Sequence, residues 1–268
     1  MKRRAAALLA ALWVLGCGTL SISEEQDLAE EFERQVRREY RFFGDAVTNQ
    51  YVARIGDDIL RQLGPQPFTY SFQVVDDADI NAFAGPAGHI YVNTGTILRA
   101  RNVAELAGVI AHEIGHVARR HIAQNYEKQR TASIGRTAAV IGAGVLGGGA
   151  AAGATNLLTG VGLAAVLNSF GRDAEREADD FAVQALPAAG YDPRGLPSFF
   201  ETLIAEGGPR VPKFLSSHPA PADRLQTTRA AIAALDLPPN LRVEDGGRLE
   251  IIQQRIQLLG GGRKRTSR

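Results

Sequence analysis

Scarcity says much about this chain. It holds one cysteine, one tryptophan, one methionine and five histidines in 268 residues. A lone cysteine excludes an internal disulfide framework. Thirty basic and 29 acidic residues leave a net charge of +1, and no stripe of interleaved basic and aromatic residues is present, so nucleic acid is not an expected partner. Charge is also missing locally, since no charged residue occurs from Thr137 to Phe170. That length could span a bilayer, yet Gly142-Ala143-Gly144 and Gly147 to Gly153 are poor in the Leu, Ile and Phe that drive insertion. The expectation for 137–170 is therefore a mobile or membrane-facing helical hairpin near a cleft. The chain as a whole, at 45% hydrophobic and 22% charged residues, suffices for one substantial core.

Two of the few histidines stand four apart in His112-Glu113-Ile114-Gly115-His116. Apolar residues from Val103 to Ala111 lead into this motif at helical spacing without a proline. At roughly 100° per residue, His112 and His116 share one helix face and can share a tetrahedral metal. Glu113 flanks that metal, placed to take a proton from water rather than to be a ligand. A catalytic zinc normally takes three protein ligands. The run Arg172 to Asp180 offers a third: Glu175 and Asp179 lie four apart on one face, whereas Glu177 points about 200° from Glu175 and is the weaker candidate. His121, five residues after His116 where a metzincin spacing would need six, lies roughly 180° from His112 on the helix and cannot complete the same site. It reads as a surface or packing residue, and His89 as a structural residue on a strand.

Four segments in order carry a resemblance over most of the chain: Asn81-Ala82-Phe83-Ala84 with Gly88-His89-Ile90-Tyr91-Val92, the His-Glu motif, Glu175 to Asp179, and Ser217-His218-Pro219 followed by Arg224. The sequence resembles the gluzincin metallopeptidases of family forty-eight, which include HtpX-like, BepA-like and LoiP-like zinc proteases. The resemblance implies an α+β, zincin-like fold, mostly helical, with a small β-sheet beside the active-site helix. It implies one Zn2+ per chain on His112, His116 and Glu175, with Glu113 as catalytic base and Asp179 orienting a ligand imidazole. It makes His218 and Arg224 candidates for transition-state stabilisation, or, for His218, for latency as a fourth ligand. The strand from Gly88 to Asn93 becomes the expected edge for pairing with an extended substrate. The function implied is that of a zinc-dependent endopeptidase of the bacterial cell envelope, acting on unfolded or envelope proteins in quality control or processing. A largely latent, chaperone-like assembly factor would carry the same ligands.

The N-terminus carries Lys2-Arg3-Arg4 and an apolar stretch from Ala5 to Leu15, the pattern of a signal peptide over 1–16. Val14-Leu15-Gly16-Cys17 resembles a bacterial lipobox, so Cys17 is the expected lipid anchor, and Gly18 in place of Asp favours the outer membrane as the site. The expected organisation is a signal peptide, a peptidase domain over 17–259 and a flexible basic tail over 260–268. Within the domain, hydrophobic spacing predicts helices over Ser23–Tyr40 and Asp45–Leu63, the latter with Val47, Tyr51, Val52, Ile55, Ile59 and Leu63 on its apolar face. Alternation predicts strands over Phe68–Val74, Asp79–Ala84 and His89–Asn93, the last two joined by a turn at Gly85-Pro86-Ala87-Gly88. Helices are predicted toward Glu206 and over Ala222–Leu235, with a proline-stiffened loop from Ser216 to Pro221 between them.

Overall fold

A computed structural model describes residues 20–132, 170–206, 213–219 and 221–262. The expected signal peptide and Cys17, the uncharged stretch over 137–169, and residues 263–268 lie outside the described residues. The architecture is mostly helical, with one three-stranded sheet, in agreement with the α+β expectation. No helix among the described residues is long and apolar enough to cross a membrane.

Helix α1 (Ile22–Glu39) begins at a capping box: Ser21 Oγ accepts from Glu24 N, and the Glu24 carboxylate accepts from Ser21 N. Its inward face is Ala29, Phe32 and Val36, joined by one fully buried acid, Glu25. Helix α2 (Ala46–Leu60) is N-capped by Asp45. Its buried face is Thr48, Tyr51, Val52, Ile55, Gly56 and Ile59, while Val47, expected on that face, is 45% exposed. Val47 stands one residue before Thr48, about 100° out of phase with the buried stripe.

The sheet consists of β1 (Ser71–Val75), β2 (Ala82–Ala84) and β3 (His89–Asn93). β1 starts later than the alternation from Phe68 suggests, because its partner β3 begins only at His89, opposite Ser71. Ahead of β3 a tight 3-10 turn, Pro86–Gly88, places Ala87 and Gly88 at φ of 52° and 98°. A side chain at 88 would meet the Thr69 carbonyl at 2.9 Å, so glycine is required there on two counts. The strand order is β1-β3-β2, with β3 parallel to β1 and antiparallel to β2. This corrects the expectation that the Gly88 to Asn93 strand is an edge, since β3 is the central strand and its backbone groups face partners on both sides. The edges are β1 and β2. β1 is partly occupied on its outer side, where Phe43 N donates to the Val74 carbonyl and Val74 N donates to the Asn49 side chain.

Helix α3 (Thr94–Arg99) leads to the motif helix α4 (Val103–Ala118), whose residues Val103–Val117 are all buried. α4 packs on β2 and β3 on one side and on α5 (Arg172–Ala188) and α6 (Gly195–Glu206) on the other. After a break at Arg119 and Arg120, residues 121–132 are again helical. A short helix α7 (Lys213–Ser217) takes in Ser216 and Ser217, the start of the expected proline-stiffened loop, and α8 (Pro221–Ala233) and α9 (Arg248–Leu258) complete the fold. The bidentate Arg255–Asp45 pair, at 2.7 Å twice, ties α9 to the start of α2. The first residues of the expected tail are held, with Gly261 N donating to the Ile256 carbonyl and Gly262 N to Asp76.

Candidate metal centre

The motif helix is set in place by its own sequence. Asn102 caps it through Glu105 N, and Gly115 lets α5 approach so closely that a Cβ there would lie 3.1 Å from the backbone of Ala178. That approach brings Glu175, near the start of α5, over the His-Glu motif. α7 ends immediately before His218, whose N–H donates to the Phe214 carbonyl at 2.8 Å. The imidazole is thereby turned inward. His112, Glu113, His116, Glu175 and His218 are all essentially excluded from solvent.

One donor atom each from His112, His116, Glu175 and His218 falls within a group 4.8 Å across. His112 Nε2 and His116 Nε2 are 3.0 Å apart, and His218 Nδ1 lies 3.2 Å from His112 Nε2 and 3.0 Å from Glu175 Oε1. The Glu175 oxygens are 3.5 and 3.6 Å from the two motif imidazoles. Ligands at about 2.0 Å from a tetrahedral ion stand about 3.3 Å from one another. The observed edges bracket that value, and the three-imidazole, one-carboxylate donor set suits a borderline metal. His116 stacks on Phe170 with centroids 4.1 Å apart and His218 on Phe214 at 4.4 Å, so apolar rings wall the cluster.

Glu113 is brought beside this group without joining it. Among the described residues neither of its oxygens has a hydrogen-bond partner, although His218 Nε2 stands 3.4 Å from Oε1. Burial raises its pKa, with the charges of His218 and His112 opposing. A buried carboxylate left unpartnered beside a metal-shaped donor set fits a group that handles the proton of a reacting water. Burial lowers the pKa of His116 well below the ordinary value, reinforced by His112, which leaves it in the neutral form that metals bind. For His218, burial pushes the pKa down, but Glu175 and Glu113 outweigh it and the net direction is up.

Behind the donors stands a second layer. His112 Nδ1 is 2.9 Å from Asp179 Oδ1, on the same α5 face as Glu175, as their spacing predicts. Arg224 binds Asp179 bidentately at 2.6 and 2.7 Å, reaches Glu175 Oε2 at 2.7 Å, and lies over the Phe200 ring. Burial works to raise the Asp179 carboxyl, but Arg224 and His112 overcome it and hold its pKa below the usual value. Arg224 is thus a clamp across two acids. The guanidinium that the resemblance offered to a developing oxyanion is engaged with carboxylates.

His89 sits on β3 with Ser71 Oγ 3.0 Å from its Nδ1, outside the cluster, as expected. His121 is also outside the donor group, as expected, but it does not point where helical phase put it. It is buried, and its Nδ1 lies 3.0 Å from His116 Nδ1 while its Nε2 lies 3.1 Å from Glu177 Oε2. Helical phase misplaced it because α4 ends at Ala118 and Arg120 adopts a φ of 56°, so a rotation counted through an unbroken helix does not apply. The one signal for this in the sequence is the Arg119-Arg120 pair, which interrupts an apolar pattern but carries neither glycine nor proline.

A buried donor set on a His-Glu helix, closed by a glutamate from a second helix beside a small sheet, defines a metallopeptidase-type centre. The chain belongs to Peptidase family M48, whose sequence profile matches residues 46–232. Members of this family are metal-dependent peptidases. Among its relatives, the beta-barrel assembly-enhancing protease of Escherichia coli (strain K12) is 30% identical over 215 residues, covering 79% of this chain and 44% of that protein. Metalloprotease YcaL of the same organism is 31% identical over 183 residues, covering 68% of this chain and 69% of YcaL. Metalloprotease LoiP, also from that organism, is 31% identical over 180 residues, covering 67% and 69%. The chain therefore spans less than half the length of the assembly-enhancing protease it matches.

Proposed function

We propose that this protein is a zinc-dependent endopeptidase of the bacterial cell envelope, with His112, His116 and Glu175 as the resident ligands of one zinc ion. The observation that carries this reading is the set of donor separations near 3.3 Å at a buried site with an unpartnered Glu113 alongside. When bound, zinc supplies Lewis-acid polarisation of the scissile carbonyl and of the attacking water. Glu113 accepts the proton of that water and delivers it to the leaving amine, and its burial raises its basicity toward what the step needs. Asp179 holds the Nδ1 side of His112, so the Nε2 lone pair faces the donor group. Arg224 keeps Asp179 and Glu175 apart and ionised. β2, Ala82–Ala84, is the edge strand that packs on the motif helix, but its residues are buried, so pairing with an extended substrate would require that edge to be uncovered.

His218 makes the resting site latent in this reading. Its Nδ1 takes the fourth corner of the donor set while its Nε2 faces Glu113, so one imidazole closes both the open coordination position and the base. Activation withdraws His218. The name of the beta-barrel assembly-enhancing relative supports envelope proteins as substrates, and the N-terminal lipobox pattern supports anchoring at Cys17 and a periplasmic, outer-membrane location. A matched comparison of wild type and Glu113→Gln tests the whole reading. Zinc stoichiometry preserved in both, with envelope proteins cleaved only by wild type, is the expected result. Equal effects of both proteins on envelope composition would instead favour the chaperone-like role.

A further inference from the structure

We propose that His121 and Glu177 form a positioning relay for the metal ligand His116, a counterpart on the second imidazole of what Asp179 does for the first. The inference rests on the metal reading of the cluster. His116 presents Nε2 to the other donors, 3.0 Å from His112 Nε2, which leaves Nδ1 on its far side. That atom meets His121 Nδ1 at 3.0 Å, and two ring nitrogens at this distance need one proton between them. Glu177 decides which way the chain runs. As an ionised carboxylate it only accepts, so the His121 Nε2–H donates to Oε2 at 3.1 Å, and His121 Nδ1 is left as an acceptor. His116 Nδ1–H then donates to His121, and the His116 lone pair is fixed on Nε2, where a metal takes it.

The fold invests in this contact. His121 reaches His116 only because α4 breaks after Ala118 and Arg120 adopts a left-handed backbone at φ 56°, an uncommon conformation for a residue with a long side chain. Glu25, fully buried on α1, holds Arg120 there by accepting from its Nε–H at 2.8 Å, and the Leu20 carbonyl accepts from the same guanidinium. A buried acid from one helix thus pins the kink that delivers the imidazole. Without the kink, residue 121 would follow the helix away from the cluster.

The test is zinc affinity of the purified full-length chain, measured by competition with a chromophoric chelator, together with the visible spectrum of the Co2+ form. His121→Phe keeps the ring volume and removes the acceptor; His121→Asn returns an oxygen near the position of Nδ1. Expected are an affinity loss of about 10- to 100-fold in the Phe variant, a shifted Co2+ spectrum, and recovery of most of the loss in the Asn variant. Equal losses in both variants, or none in the Phe variant, overturn the relay. Should the Phe variant fail to fold, the exposed Glu177→Ala carries the test: about a three- to tenfold loss supports the relay and affinity within about twofold of wild type overturns it. Failure of the wild type itself to bind Zn2+ would remove the metal reading, and is read from the wild type alone.

Discussion

Asp179 Oδ1 lies 2.9 Å from His112 Nδ1 and is at the same time 2.6 Å from Arg224 Nη2, so one buried carboxylate oxygen joins the motif helix to α8. The orientation of a metal ligand and the docking of a late helix depend on the same atom. Asp179→Ala is expected to weaken zinc binding about 10- to 100-fold. Arg224→Ala removes the guanidinium that bridges the buried Asp179 and Glu175, at an expected cost of about 3–5 kcal/mol. Chelator competition reads the first and urea denaturation the second.

The ligand assignment separates two acids that stand two residues apart. His112→Ala, His116→Ala and Glu175→Ala should each lose stoichiometric zinc. Glu177→Ala, whose side chain is largely exposed and reaches the site only through His121, should keep it at saturating metal. Metal content of the purified variants checks this, and an empty Glu177→Ala beside a full Glu175→Ala would reverse the assignment.

His218 and Glu113 face each other at 3.4 Å and should respond oppositely to truncation. His218→Ala is expected to retain zinc and to raise basal proteolysis or self-cleavage, because the closing imidazole is gone. Glu113→Gln is expected to retain zinc and lose hydrolysis, since an amide does not take up the water's proton. A His218→Ala protein that is inactive while zinc-loaded would assign that imidazole to transition-state stabilisation instead.

Far from the centre, Asp45 caps α2 through Thr48 N at 3.0 Å and pairs with Arg255 on α9. The hydrogen bond to Arg255, against burial and with help from Thr48, holds its carboxyl well below the usual range. A depressed carboxylate pKa contributes stability that is fully present above the unfolded value, about 3.9, and is lost as pH falls toward the folded one. Asp45→Ala should therefore cost about 1–2 kcal/mol at neutral pH for the cap alone. The difference from wild type should shrink when denaturation is repeated below about pH 4. A pH-independent difference would show that the charge of Asp45 contributes nothing.

Much of the centre was legible before any fold was known, and the limit of legibility is physical. The four-residue spacings of His112 with His116 and of Glu175 with Asp179 survive because each pair lies within one unbroken helix, where local hydrogen bonding fixes the relative direction of side chains. His121 failed by the same rule. Its direction depends on Arg120, and Arg120 depends on Glu25, 95 residues earlier in the chain. Arg224 was picked out by resemblance, but its partners Asp179 and Glu175 come from α5 and no spacing relates them to it.

The sheet divides in the same way. Alternation located β3 at His89–Asn93, and the Gly-Pro-Ala-Gly turn located its start, because period and turn chemistry are properties of a few consecutive residues. Whether β3 is an edge or a centre is a statement about its neighbours, and those are set by where β1 and β2 find backbone partners. By itself, the sequence determined the chemical groups of the centre, the helices that carry them and the phase of each along its own helix. Only the tertiary structure decided that His218 closes the donor set, that Arg224 clamps two acids and that His121 stands behind His116. Those contacts join residues up to 106 positions apart, and their geometry comes from how whole elements pack, which no local periodicity records.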